Sequence, residues 1–149
     1  MTEAQRNGEE CIYCSETKTL LIDSGEIYAK SHGLAYQCPS CLAYVNCHRG
    51  SDRAMGTVAN GELRAARKAA HKQFDNLCKE KLRLNPKLSK NKARNAGYRW
   101  LAGSLGISIP HCHIAQLTVK QCLKVIEICG PFNRKILDRQ SERKQGRRN

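Results

Sequence analysis

The sequence predicts an α+β protein: a small antiparallel sheet near the N-terminus followed by about three helices. Three observations lead there. Two Cys-x-x-Cys pairs, Cys11/Cys14 and Cys38/Cys41, enclose short runs rich in β-forming residues. From Glu62 onward, apolar residues recur at helical rather than alternating spacing. Charge divides the chain the same way: residues 1–50 carry 4 basic and 6 acidic side chains, and residues 51–149 carry 22 and 7.

The sheet is read from residues 19–23, 26–29 and 34–37, with residues 42–45 as a further short strand after the second pair. Ser24-Gly25 and Ser31-His32-Gly33 separate the first three as turns. Residues 49–61 hold Gly50, Gly56 and Gly61 and read as an ordered loop.

The first long helix starts at Glu62. Leu63, Ala66, Ala70, Phe74 and Leu77 form its apolar stripe, and Asn85-Pro86 ends it, because proline cannot donate and restricts the residue before it. Ser89 is the expected N-cap of a second helix, which buries Trp100, Leu101 and Leu105 and closes at Gly106. Thr118 and Gln121 have the spacing of a capping box. They open a third helix with Val119, Cys122, Ile126 and Cys129 on one face, and Gly130-Pro131 is expected to stop it. Residues 132–149, with 7 basic and 2 acidic side chains, read as a frayed basic tail. The expected organisation is a polar N-terminus (1–10), a β module (11–48), a basic helical region packed on it (49–130) and the tail (131–149).

The cysteine pairs carry the chemistry. Each Cys-x-x-Cys turn sets two sulfurs on one side of a tight knuckle, and two knuckles close a tetrahedron of thiolates round Zn²⁺. Four protein ligands leave no position open for water or substrate, so the expected cofactor is one structural zinc ion held by Cys11, Cys14, Cys38 and Cys41. The sheet is then of zinc-ribbon or treble-clef type. Redox thiols fit less well, since a redox Cys-x-x-Cys usually stands singly beside a βαβ pattern. Cys47 or His48 could replace a nearby cysteine, although four cysteines with His48 free is the simpler set. His111-Cys112-His113 with Cys122 and Cys129 could hold a second metal, but adjacent ligands point apart and buried core thiols are the plainer reading.

Nine cysteines, a polar N-terminus without a basic-then-apolar signal and no long apolar run imply a soluble cytoplasmic protein with reduced thiols and no membrane partner. A net charge of +13 implies a polyanionic partner: nucleic acid, DNA or RNA, or an acidic protein. Arg64, Lys68, Lys72 and Lys79 lie away from the apolar stripe, with Arg67 on its flank, and Lys90, Lys92, Arg94 and Arg99 follow. Only Glu62, Asp75 and Glu80 offset the charge between residues 61 and 99. Tyr98 and Trp100 are the only aromatic candidates for base stacking there, so phosphate contact is the better expectation. A metal-assisted hydrolase centred on His48, Asp52, His71 and Asp75 is the alternative; His71 and Asp75 face one another at i, i+4. No nucleophile elbow or phosphate-binding glycine loop accompanies them.

These motifs together resemble the small zinc-finger-containing proteins of unknown function encoded by bacteriophages and prophages. The resemblance rests on Cys11-Ile-Tyr-Cys14, Glu26-Ile-Tyr28, Cys38-Pro-Ser-Cys41 and Cys47-His48-Arg-Gly50-Ser-Asp52. It continues through the Leu63–Asp75 run, Trp100-Leu-Ala, Leu105-Gly-Ile and Cys112-His113-Ile114, about residues 11–130 in all. It implies zinc at the two pairs, a phage or bacterial host cell and no particular activity. It also draws notice to Cys47, His48, Asp52, Arg64, Arg67, His71 and Asp75 as a set. Ser15, Ser51 and Cys78 depart from the Gly, Thr and Trp expected at those places, and none of them is a proposed ligand.

Overall fold

A computed structural model describes residues 1–148. The chain divides into two compact units at Ala65/Ala66, inside the first long helix.

In the first unit, a one-turn helix α1 (Glu3–Arg6) opens on a capping box: Thr2 accepts from the Gln5 N–H, and the Gln5 side chain accepts from the Thr2 N–H. Three strands follow, β1 (Leu20–Asp23), β2 (Leu34–Gln37) and β3 (Tyr44–Asn46), antiparallel in the order β1-β2-β3. Leu21 pairs with Tyr36 and Tyr36 with Val45. The glycine-containing loop after β3 is ordered, with bridges from Cys47 to Ala54 and from Tyr44 to Ala59. The core is small: Cys11, Cys38, Ala43, Val45 and Val58.

The expected strand over residues 26–29 does not form. Asp23 accepts from the Gly25 N–H (2.7 Å) and from the Ser31 hydroxyl (3.0 Å), and the buried Ser24 hydroxyl accepts from the His32 N–H (2.7 Å). These side chains give the backbone partners that a ladder would otherwise supply, and residues Ser24–Glu26 wind into a 3₁₀ turn. The strand expected over 42–45 is shifted to Tyr44–Asn46, because Leu42 has φ +63° and completes the preceding knuckle.

The second unit is helical. Helix α2 (Gly61–Leu84) spans the division, its start held by Asn60, whose side chain accepts from the Leu63 N–H (2.9 Å). Helix α3 (Lys90–Leu105) has its N-cap at Ser89 and ends at Gly106 in the left-handed region (φ +67°), as the sequence predicts. Helix α4 (Val119–Gly146) opens on the Thr118/Gln121 capping box. Phe74, Leu101, Ile114, Leu117, Cys122, Val125 and Cys129 are among the fully buried core residues of this unit. Gly97 lets α3 approach α2, since a Cβ there would lie 2.9 Å from Phe74 Cζ and 3.2 Å from Cys78 Sγ.

Two helical expectations are corrected. Pro131 does not stop α4, and residues 132–146 are helix rather than frayed tail. An interior proline removes a helix bond and costs about 3 kcal/mol. Contacts beyond it oppose that cost: Asn133 Nδ2 donates to the Gln73 carbonyl (3.1 Å) and side chain (2.6 Å), Ile136 is buried, and Arg139 reaches Glu80 (3.5 Å). Trp100, expected inside, is 37% exposed and lies edge-on to Phe132, ring centres 5.7 Å apart.

Candidate metal centre and basic surface

The two Cys-x-x-Cys segments fold alike. In the first, the Tyr13 and Cys14 N–H groups both donate to Cys11 Sγ at 3.4 Å. In the second, the Ser40 and Cys41 N–H groups donate to Cys38 Sγ. Each loop is closed by a backbone bond from its first cysteine: Cys11 N–H to Thr17 O (2.8 Å) and Cys38 N–H to Ala43 O (2.8 Å). The second also needs Leu42 in the left-handed region, where its N–H reaches Cys38 O (3.0 Å). The two knuckles converge so that the four Sγ atoms lie within 4.8 Å of one another.

This arrangement fits zinc. Bonds of ~2.3 Å to a tetrahedral ion put sulfurs about 3.8 Å apart, and Cys11 and Cys41 Sγ are 3.6 Å apart. The thiols themselves register the crowding. Hydrogen bonding to Cys41, then burial, pushes Cys14 up to about 12, and burial raises Cys11. Burial alone would raise Cys38 too; the N–H groups of Cys41 and Ser40 and the thiols of Cys11 and Cys41 outweigh it and bring Cys38 down to about 7. Four sulfurs this close cannot all ionise without a cation among them, and ligation releases their protons. The N–H bonds to Cys11 and Cys38 orient those sulfurs and lighten their negative charge.

Neither Cys47 nor His48 joins the centre. Cys47 is buried elsewhere in the unit, where burial and the Asp52 carboxylate raise its pKa, and His48 is exposed. Cys112, Cys122 and Cys129 are core thiols, and the His113 ring lies tilted at 57° against Tyr98 with ring centres 5.0 Å apart. The four-cysteine group is the one cluster of three or more metal-ligating side chains among the described residues.

A closed four-thiolate site between two knuckles at the base of a small antiparallel sheet defines a zinc-finger protein. The family model for a zinc-finger-containing domain of unknown function matches residues 7–131, and the chain belongs to that family. No curated protein and no solved structure matches the chain. Among the described residues, no helix is long and apolar enough to cross a membrane.

The basic side chains sort into two groups. Three arginines are engaged within their own unit. Arg64 donates to Ala59 O (2.6 Å) and stacks 4.3 Å over the Tyr44 ring. Arg67 donates through Nε and Nη2 to Leu117 O (3.2 and 3.1 Å), holding the entry to α4. Arg94 lies over Tyr98 and hydrogen-bonds to it. Sequence periodicity places these arginines on a face but does not show that carbonyls and rings already take them. Lys68, Lys72, Lys79, Lys90, Lys92 and Arg99, by contrast, are exposed. His71 Nδ1 and Asp75 Oδ2 are 3.4 Å apart on α2, both side chains more than 40% exposed. His48 and Asp52 belong to the other unit, in the turn where Ser51 N–H bonds to His48 O.

Proposed function

We propose that the protein is a zinc-stabilised nucleic-acid-binding protein of phage origin acting in the bacterial cytoplasm. It holds phosphates on the helical unit, while zinc fixes the N-terminal sheet. The observation that carries this reading is the set of exposed cations Lys68, Lys72, Lys79, Lys90, Lys92 and Arg99. Glu80 is bound by Arg83 (2.6 Å) and Arg139 (3.5 Å), and Asp75 is paired with His71. Such cations gain free energy from counterion release when they meet phosphates, contacts that carry no sequence information.

The test is a binding isotherm at several salt concentrations. Six phosphate contacts weaken affinity about a thousandfold between ~50 and ~200 mM salt. Absent or salt-insensitive binding refutes the reading. In that case an acidic host protein becomes the partner to seek, in nuclease-treated lysate.

The His71–Asp75 contact favours one second reading, a metal-dependent hydrolase centred on these two residues. It requires metal-dependent cleavage that His71→Ala abolishes while the fold persists.

A further inference from the structure

Two depressions in the helical unit share a wall. The first, about 350 Å³, is lined by apolar side chains including Leu77, Trp100, Phe132 and Ile136. The second, about 410 Å³, is lined by Lys81, Lys92, Asn95 and Arg99 with Leu88, and has no acidic side chain. Lys81 and Ala96 belong to both, so an apolar cleft opens directly beside a cationic one.

We infer that the paired clefts seat one unstacked nucleotide of a single-stranded nucleic acid, its base against Trp100 and Phe132 and its phosphate among Lys81, Lys92 and Arg99. The inference rests on the nucleic-acid reading and narrows it.

Size agrees: the first cleft, at about 350 Å³, falls at the lower end of small-ligand sites and has room for a base. Chemistry agrees as well. Trp100 and Phe132 remain 37% and 47% exposed while meeting edge to face, leaving aromatic surface uncovered at the mouth. A base offers that surface a π-face whatever its identity. The one carboxylate lining the apolar cleft, Glu80, is 8% exposed and held by Arg83 at 2.6 and 2.9 Å and by Arg139 at 3.5 Å, so it does not repel a phosphate. A duplex keeps its bases stacked and would have to flip one out, whereas a single strand tracks a cationic groove with its bases free. An apolar peptide side chain would fill the first cleft and leave the cations of the second without a partner.

Trp100 is the only tryptophan in the chain, so its emission reports on the cleft directly. The experiment titrates the full chain with a mixed-sequence single strand of about ten nucleotides, its duplex, and a strand of the same length made of abasic sites. The intact strand is expected to quench Trp100 and to bind more tightly than the other two. Phe132→Ala should weaken the intact strand about 5- to 150-fold and leave the abasic strand unchanged. Lys92→Gln combined with Arg99→Gln should weaken both strands. Equal, salt-dependent binding of intact and abasic strands with unchanged emission overturns the seat and leaves the broader reading standing. No binding of any strand overturns both, and a Trp100 response to an apolar peptide alone assigns the cleft to a protein. The wild-type comparison of intact and abasic strands needs no variant, and thermal melting of Phe132→Ala guards the rest.

Discussion

The two units solve the same problem by different means. The helical unit buries eleven residues in one cluster, with Phe74, Leu101, Ile114 and Leu117 supplying large apolar side chains. The cluster in the sheet unit holds five, two of which are the zinc ligands Cys11 and Cys38. Burial of apolar area at about 25 cal/mol per Å² can stabilise the former, but the sheet unit, with Leu63, Val45 and Val58 its largest buried aliphatic side chains and the rest mostly alanine and cysteine, buries far less. The metal centre occupies the place of a core. One chain therefore joins a unit whose stability depends on coordination chemistry to a unit whose stability depends on packing.

Each prediction probes that contrast. Cys38→Ser removes a ligand with favourable N–H bonds and leaves a site for three. Structural zinc contributes apparent free energies of about 10–16 kcal/mol in small zinc modules, comparable to or above the total stability of most domains. The variant should lose amide dispersion for residues 1–65 and retain the helical circular dichroism of the second unit.

Phe74→Ala should do the reverse. Truncating a fully buried phenylalanine costs about 3–5 kcal/mol, so the helical melting transition should fall while zinc content stays at one ion.

Tight glycines give a smaller effect in each unit. Gly8 has φ +74°, and a Cβ there would lie 2.9 Å from Ala54 Cβ and 3.0 Å from Val45 Cγ1. Gly8→Ala should destabilise the sheet unit by about 1–3 kcal/mol and weaken its hold on zinc in a chelator competition. Gly97→Ala, against Phe74, should cost a similar amount in the helical transition and leave zinc affinity unchanged.

The smallest effect is that of pH on the helical unit. Hydrogen bonding to Arg83 holds the Glu80 carboxyl below its ordinary value of 4.5. A depressed carboxyl contributes stability that is present above that ordinary value and lost as pH falls through the lowered one. Acid melting should therefore show a loss starting below about pH 4.5 that Glu80→Gln removes. The sheet unit should fail at higher pH, where protons compete with zinc for the thiolates.

The same contrast explains what the sequence could disclose. The knuckles follow from local chemistry, two cysteines separated by two residues, and were legible with their ligands. The caps at Ser89, Gly106 and Thr118/Gln121 are local too. Continuation of α4 past Pro131 was not legible, because the groups that hold it, Gln73 and Glu80, lie about sixty residues away in the chain. The strand expected over residues 26–29 had suitable β-formers, but the Asp23 and Ser24 side chains won the backbone locally. Arg64 and Arg67 looked like free cations because no periodicity shows that Ala59 and Leu117 carbonyls await them. Trp100 reads as core beside Leu101 and Leu105, but it lies 37% exposed against Phe132, on a segment that reads as tail.

Zinc dependence of the sheet unit is best measured on the intact chain, by metal analysis followed by two-dimensional amide spectra before and after chelation. One zinc per chain is expected, with signals of residues 1–65 collapsing on its removal while those of the helical unit persist. A chain that purifies without zinc, or whose amide spectrum is unchanged once the metal is stripped, would contradict the account.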